Sequence, residues 1–529
     1  MPTTYDAIII GAGHNGLVTA AYLARAGRKV LVLERRELVG GCAVTEELWP
    51  GFKVSTASYV NSLFRPEIIR DLELKRHGFA MLPRSPSSFT PFPDGRYLLM
   101  GPDKEMTHRE VAKFSKKDAE NLPKYEAMLE RVADFLEPTL VQTPPNPWSL
   151  APGNLVQLLK LGLAFRRLGT DGQKAIEILT GAANPILDRW FESEEVKATI
   201  ATDAIIGAFA TPSMPGTAYV LFHHVMGECD GVRGVWGYVR GGMGGLSNAI
   251  ASAAREKGAE IMTSAAVGRI LVQDGRAVGV AMADGSEYRA RKVVSCLDAN
   301  VTFLKLMDPK ELPAEFVASV RHLDYASGSA KINLALSEVP DFSCLRGTTP
   351  GPQHRGTIHL CPTREYIEKA FDRAKYGYIS DNPIIEATIP SSLDDTVAPR
   401  GKHVMSMFTQ YFPYKLAADA GTLEENKQRY AERCIDIMTE YAPNFRRSVI
   451  DYQVLSPADL EARFGLTGGN IMQGTMSLSS LSFMRPVPGY ADYRTPVRGL
   501  YLCGAATHPG GGVMGACGYN AAREILKDG

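Results

Sequence analysis

Apolar and polar positions follow two rhythms along this chain, and both appear within its first 35 residues. Ala7 to Ile10 form an unbroken apolar run, the pattern of a short strand buried on both faces of a parallel sheet. The stretch Leu17 to Ala26 reads as a helix closed by Gly27, and Lys29 to Leu33 read as a second apolar strand. Strand, helix and strand in this order predict a βαβ unit.

Further along, Ser115 is an N-cap for a helical run to Glu137, which Pro123 is expected to divide into two helices. Prolines and turn residues make 142–154 a loop. The segment 155–168 is apolar around much of its circumference but carries Lys160, Arg166 and Arg167. It reads as an interfacial helix against lipid, a buried helix of a substrate domain, or the cover of a second subunit in a homodimer. The run 178–222 reads as helices broken at Pro185 and Pro212, whose small and apolar residues suit the wall of an apolar cavity. From 236 a strand, a glycine turn, a helix and a strand return, followed by two strands turning at Asp274-Gly275 and Asp284-Gly285. Strands and helices alternate through 301–484, and 498–527 is again strand, glycine loop and helix.

The first turn carries chemistry. Gly11, Gly13 and Gly16 give G-x-G-x-x-G between strand and helix, and Glu34 ends the second strand. The first glycine permits the tight turn, the second lets backbone approach a pyrophosphate, and the third lets helix pack on strand. A carboxylate at Glu34 accepts hydrogen bonds from a ribose diol and repels a 2′-phosphate, so a dinucleotide other than NADP is expected. His14 and Asn15, inside the turn, and Arg35, beside Glu34, join the candidate cofactor residues. The later Gly241–Gly245 cluster has Ser247 in place of a third glycine and lacks a terminal acid, so no second dinucleotide site is expected there.

Composition narrows the partners. At 529 residues the chain exceeds one ordinary core. Apolar residues make up 45% and charged residues 22%, the balance of a soluble globular protein. Lys+Arg 58 equals Asp+Glu 58, so bulk charge draws it to no nucleic acid, and a small apolar molecule is the expected partner. Eight scattered cysteines without a C-x-x-C pair suit a reducing compartment and no dithiol chemistry. With no apolar run of about 18 residues and no room for a leader before Asp6, a cytoplasmic protein is expected, peripheral to a membrane at most.

Gly40 and Gly41 resemble the second glycine segment of glutathione-reductase-like flavoproteins, which favours FAD over NAD. Together with "RGGMGGL" (240–246) and "LYLCGAATHPGGGVMG" (500–515), they mark a resemblance to the phytoene desaturase-like branch of the FAD-dependent amine oxidase superfamily. The resemblance runs over essentially the whole length. It implies an α/β fold: a discontinuous glutathione-reductase-like FAD-binding Rossmann domain (1–75, 236–300 and 485–529), and a substrate domain of mixed sheet plus helices (76–235 and 301–484). It implies that Val267 meets the adenine through its backbone. Gly504, Gly511, Gly512 and Val513 would lie by the flavin, the last three presenting N–H groups at a helix start. Ala505 stands where many superfamily members carry an acid, so no ribityl contact is assigned there. No cysteine matches a covalent attachment pattern, so non-covalent FAD is expected; Cys517 reads as a packing residue.

The implied activity is oxidoreduction of an apolar, polyene- or lipid-like substrate, by desaturation, saturation or isomerisation. Amine oxidation on the same fold, or a structural FAD-binding role through partners, are the alternatives. His508, Arg485, Tyr490 and Gln473 are candidates for catalysis. Each also has a plain structural reading, His508 as a hydrogen-bonded loop anchor and Arg485 and Tyr490 as supports of the last strand.

Overall fold

The computed structural model describes residues 4–529. The opening pattern folds as read. Thr4–Ile10 (β1), His14–Arg25 (α1) and Val30–Leu33 (β2) form a βαβ unit with β1 and β2 parallel, Ala7 opposite Val30. The later returns of the pattern join the same sheet. They supply Met243–Glu256 (α2), Glu260–Met262 (β3), Val267–Gln273 (β4), Arg276–Met282 (β5), Glu287–Ser295 (β6), Leu500–Leu502 (β7) and Ala516–Lys527 (α3). The parallel strands run β3-β2-β1-β6-β7, and the first half of β6 also carries the antiparallel pair β5-β4.

Strand alternation decides which side chains go to which face. Ile9, Val30 and Val32 pack under α1, α2 and α3 with Leu17, Leu246 and Ile525. Ile8, Ile10, Leu31 and Leu33 fill the opposite face with Phe303, Phe316 and Val320. Each buried Leu, Ile or Phe contributes about 1.5–3 kcal/mol, so these two layers fix the sheet. Phe303 to Val320 lie beyond residue 300, the expected start of the substrate domain. They nevertheless bury against β1 and β6, where Val487, Val497 and Tyr490 join them in covering that face of the sheet.

A second sheet of seven strands runs in the order Val449–Leu455, Ser329–Leu336, His403–Gln410, Ile384–Thr388, Thr357–Leu360, Ser88–Pro91 and Tyr97–Met100. All neighbours are antiparallel except Thr357–Leu360 with Ser88–Pro91, so the sheet is mixed. Ile332, Leu334, Met405, Met407, Ile385 and Ile358 point to one face, under the helix Leu423–Tyr441 with Tyr430 and Met438. The same alternation turns Lys331, Ser406, Phe408, Glu386 and His359 to the other face. That face looks into the molecule, toward the helices between Lys104 and Val225.

Pro123 does not divide its helix. Lys116–Leu140 is continuous, with Pro123 and Pro138 inside it. Leu122, Tyr125, Met128, Leu129 and Val132 bury one stripe in the largest apolar core, and this packing outweighs the hydrogen bond that Pro123 forfeits. Among the described residues, no helix is long and apolar enough to cross a membrane.

Candidate functional site

A cavity of about 450 Å³ starts at the carboxyl ends of β1 and β2, where open parallel sheets bind ligands, and runs to the inner face of the second sheet. Gly11, Gly13, His14, Asn15, Glu34, Arg35, Gly40, Gly41 and Val267 line its first end. Gly16 lies behind them, where a β-carbon would stand 2.3 Å from the Gly11 carbonyl oxygen, so only glycine allows α1 this close to β1. Gly40, with φ +116°, donates its N–H to Ala12 O at 2.8 Å and ties the second glycine segment to the first.

Two helix starts differ in a way that bears on ligands. The N–H groups that open α2 are taken by protein hydroxyls: Met243 N donates to Ser55 Oγ and Gly244 N to Thr45 Oγ1, both at 2.9 Å. This accounts for the absence of a second dinucleotide signature there. The cap of α1, Gly13, has no side chain to satisfy its first turn, and that turn faces the cavity. Glu34 is buried, its Oε2 accepting from Ala12 N at 2.8 Å and its Oε1 from Arg36 N at 2.9 Å. Each oxygen keeps a lone pair for a further donor.

Arg35 turns its guanidinium away to the carbonyls of Ala462 and Arg463. The sequence reading missed its neighbour Arg36. Arg36 Nη2 pairs with Glu46 Oε1 at 2.7 Å, while Nη1 is buried without a partner on the cavity wall. A second arginine after the strand-ending acid was the available signal. Uncapped amides, an orphan guanidinium nitrogen and a half-satisfied carboxylate together fit a pyrophosphate with a ribose diol.

The far end of the cavity is lined by Tyr59, Val60, Asn61, Ser62, Leu63, Ile206, His223, His224, Trp236, Lys331, Phe408, Met472, Gln473, Ala505, Gly512 and Val513. Glu34 supplies the cavity's lone carboxylate, and it sits at the other end. Burial pushes His223 down to about 4 and His224 down to about 3, so both rings are uncharged at neutral pH. His223 Nε2 lies 3.1 Å from Gly511 O and joins the helix Thr217–Val225 to the C-terminal glycine loop. Lys331 is fully buried, hydrogen-bonded to Ser406 Oγ, and desolvation holds its amine well below the usual lysine value. Its signal was a lysine in the mostly apolar strand "SAKINLAL"; the signal for His223 and His224 was a pair of histidines in "AYVLFHHVM".

Of the four residues singled out for catalysis, Gln473 alone lines the cavity, and its Oε1 accepts from Ala506 N at 3.0 Å. Arg485 does not line the cavity. It is buried with its guanidinium donating to the carbonyls of Ala505, Met472, Thr475 and Ser480, clamping the approach to β7. His508 is an anchor, its Nε2 2.9 Å from Thr139 O, and burial lowers it to about 4. Tyr490 packs edge-on to Phe316 in the core behind the sheet. Gly504 and Gly511 stand behind the wall that Ala505 and Gly512 form. Gly511 to Val513 do not open a helix: α3 starts at Ala516, after a left-handed Gly515 cap. Cys517 is buried, with Sγ turned to Gly510 O.

Comparison with known proteins agrees with this geometry. Residues 16–361 match the model of the family described as flavin containing amine oxidoreductase. The chain is 48% identical to the rat protein named pyridine nucleotide-disulfide oxidoreductase domain-containing protein 2, over 99% of this chain and 94% of that one. It is 27% identical to a limonene dehydrogenase chain of Castellaniella defragrans, again over 99% and 94%. Putrescine oxidase with bound putrescine superposes with a TM-score of 0.60 at 16% identity, covering 99% of each chain, a likeness of fold.

Proposed function

This chain belongs to the flavin containing amine oxidoreductases and is a flavin-dependent oxidoreductase; from that premise we propose that it holds FAD non-covalently and desaturates, saturates or isomerises an apolar, polyene- or lipid-like molecule. The observation that carries the substrate class is the wall at the Gly512 end. There Val60, Leu63, Ile206, Trp236, Phe408 and Met472 surround one buried amine, that of Lys331, and this wall itself carries no carboxylate. The name of the limonene dehydrogenase relative, a protein whose substrate is a hydrocarbon, points the same way.

Bound FAD would supply a hydride acceptor or donor. The α1 turn and Arg36 Nη1 would hold its pyrophosphate, Glu34 its ribose, and the backbone near Val267 its adenine. Gly512 and Val513 would stand by its flavin. The apolar wall excludes water from the reacting carbon, and Lys331 Nζ, its basicity lowered by burial, accepts or returns a proton there. Of the cysteines on the wall, Cys296 is buried and Cys42 half-buried, and desolvation pushes the Cys42 thiol up to about 12, away from the thiolate that a covalent flavin link needs. The test is anaerobic mixing of the FAD-loaded protein with fractionated lipid extracts. Bleaching of the flavin by an apolar fraction is expected; bleaching by primary amines alone overturns the substrate class.

The helix Pro152–Arg167 supports a site of delivery. It has no buried residue, and Trp148, Leu150 and Leu159 expose 66%, 83% and 62% of their surface beside Leu155, Val156 and Leu163. Its charged residues are Lys160, Arg166 and Arg167, all basic, so the occupant of this face is an anionic bilayer surface.

A further inference from the structure

Register places four side chains in one row across the inner face of the second sheet. Lys331 lies opposite Phe408, Phe408 opposite Glu386, and Glu386 opposite His359. Lys331 and Phe408 face the cavity already described, whereas Glu386 and His359 face a second cavity of about 320 Å³. The two adjoin: Tyr59, Val60, Ile206, His224 and Trp236 line both.

The second chamber is built from polar groups that the fold does not use. Glu386 is buried, with Oε1 lacking any hydrogen bond and 3.6 Å from His359 Nδ1. Tyr125 OH and His224 Nδ1 are buried on its wall and are also without partners. Arg84 is buried with Nη1 donating to Thr357 Oγ1 at 2.8 Å, and no carboxylate among the described residues comes within ion-pair distance of it. Asp203 completes the set, raised to about 7 by desolvation and by Glu386, against the opposing pull of His359 and Arg84. Leaving a buried hydrogen-bonding group unmade costs about 1–3 kcal/mol, and three share this chamber. Such a cost is offset when a ligand supplies the missing partners.

We propose that this chamber binds the hydroxyl end of a substrate whose apolar body lies between Tyr59, Trp236 and Phe408. This inference rests on the apolar-substrate reading and makes that substrate amphiphilic. A hydroxyl donates to Glu386 Oε1 and accepts from Tyr125 OH or the Arg84 guanidinium at once. A carboxylate ligand meets two acidic groups, Glu386 and Asp203, and an ammonium ligand meets the Arg84 guanidinium, so neither charged head is free of repulsion. The row then acts as a ruler. It sets a fixed separation between the bound hydroxyl and the carbon held beside Lys331.

The test is calorimetric titration of the FAD-loaded protein with 1-octanol, n-octane, octylamine and octanoate. Octanol is expected to bind about tenfold more tightly than octane. Glu386→Gln and Tyr125→Phe are each expected to weaken octanol about tenfold and to leave octane unchanged. Tyr125→Phe removes a hydroxyl that has no protein partner, so it keeps the test valid if Glu386→Gln does not fold. Equal affinity for octane and octanol, variants that leave octanol unaffected, or tighter binding of octylamine or octanoate would each overturn the proposal. A protein that takes up no FAD fails the broader reading instead, and the two failures are told apart by the flavin content measured before titration.

Discussion

Lys331 Nζ lies 4.1 Å from the centroid of the Tyr59 ring, on the wall of the main cavity and without an ion-pair partner. An aromatic face and the Ser406 hydroxyl are what surround this amine, and desolvation holds its pKa well below the usual lysine value. The sign of the stability effect follows. The folded-state pKa is well below the usual lysine value of 10.5, so between that folded value and 10.5 the unfolded chain binds the extra proton. The cost to stability is full below the folded pKa and vanishes as pH approaches 10.5. Lys331→Met is therefore expected to raise the melting temperature at pH 7, by the equivalent of about 1–3 kcal/mol, with the gain shrinking toward pH 10. Turnover should fall about a hundredfold or more. Calorimetric scans across pH check the first effect, and a gain independent of pH contradicts it.

Glu34 holds two backbone N–H groups and is oriented for two more donors. Glu34→Gln replaces one acceptor oxygen with a donor and removes the charge. FAD affinity is expected to drop about 10- to 100-fold, the worth of one charged hydrogen bond. Equilibrium dialysis of the apoprotein with FAD measures it, and unchanged affinity would remove Glu34 from the ribose site.

Arg485 is a structural clamp. Lysine cannot reach the carbonyls of Ala505, Met472, Thr475 and Ser480 together, so Arg485→Lys is expected to cost about 3 kcal/mol or more of stability. The folded fraction should keep its flavin spectrum and its turnover. Denaturant unfolding with parallel assays checks both, and lost turnover at full stability would return Arg485 to the catalytic candidates.

The exposed stripe of Pro152–Arg167 leads to a lipid experiment. Flotation with phosphatidylglycerol vesicles is expected, weaker with phosphatidylcholine and weaker at high salt. Replacing Leu155, Leu159 and Leu163 together with serine should abolish it. If the intact protein does not float but forms a dimer that the triple variant loses, the stripe is a subunit interface.

Whether a function could be read from the sequence depended on whether it was local in the chain. Gly11, Gly13, Gly16 and Glu34 sit within one βαβ unit, so spacing alone located that end of the cavity. The resemblance to the phytoene desaturase-like branch came from glycine turns of the same kind, and the relatives bear it out. Pro123 misleads because local propensity leaves out the packing of Leu122, Met128 and Val132. Lys331, Glu386 and His359 come from three strands far apart in sequence, and only the sheet register sets them in a row. His508 and Arg485 stand out as polar residues in glycine- and proline-rich turns. Such turns need internal hydrogen bonds, and that is what these side chains supply.

The most direct test of the central claim is the flavin content of the purified chain. The protein is expected to be yellow and to release one FAD per chain when denatured, with absorption bands that shift on anaerobic addition of the apolar substrate fraction. A colourless protein that takes up no added FAD, or a flavin that stays attached to the unfolded polypeptide, would contradict it.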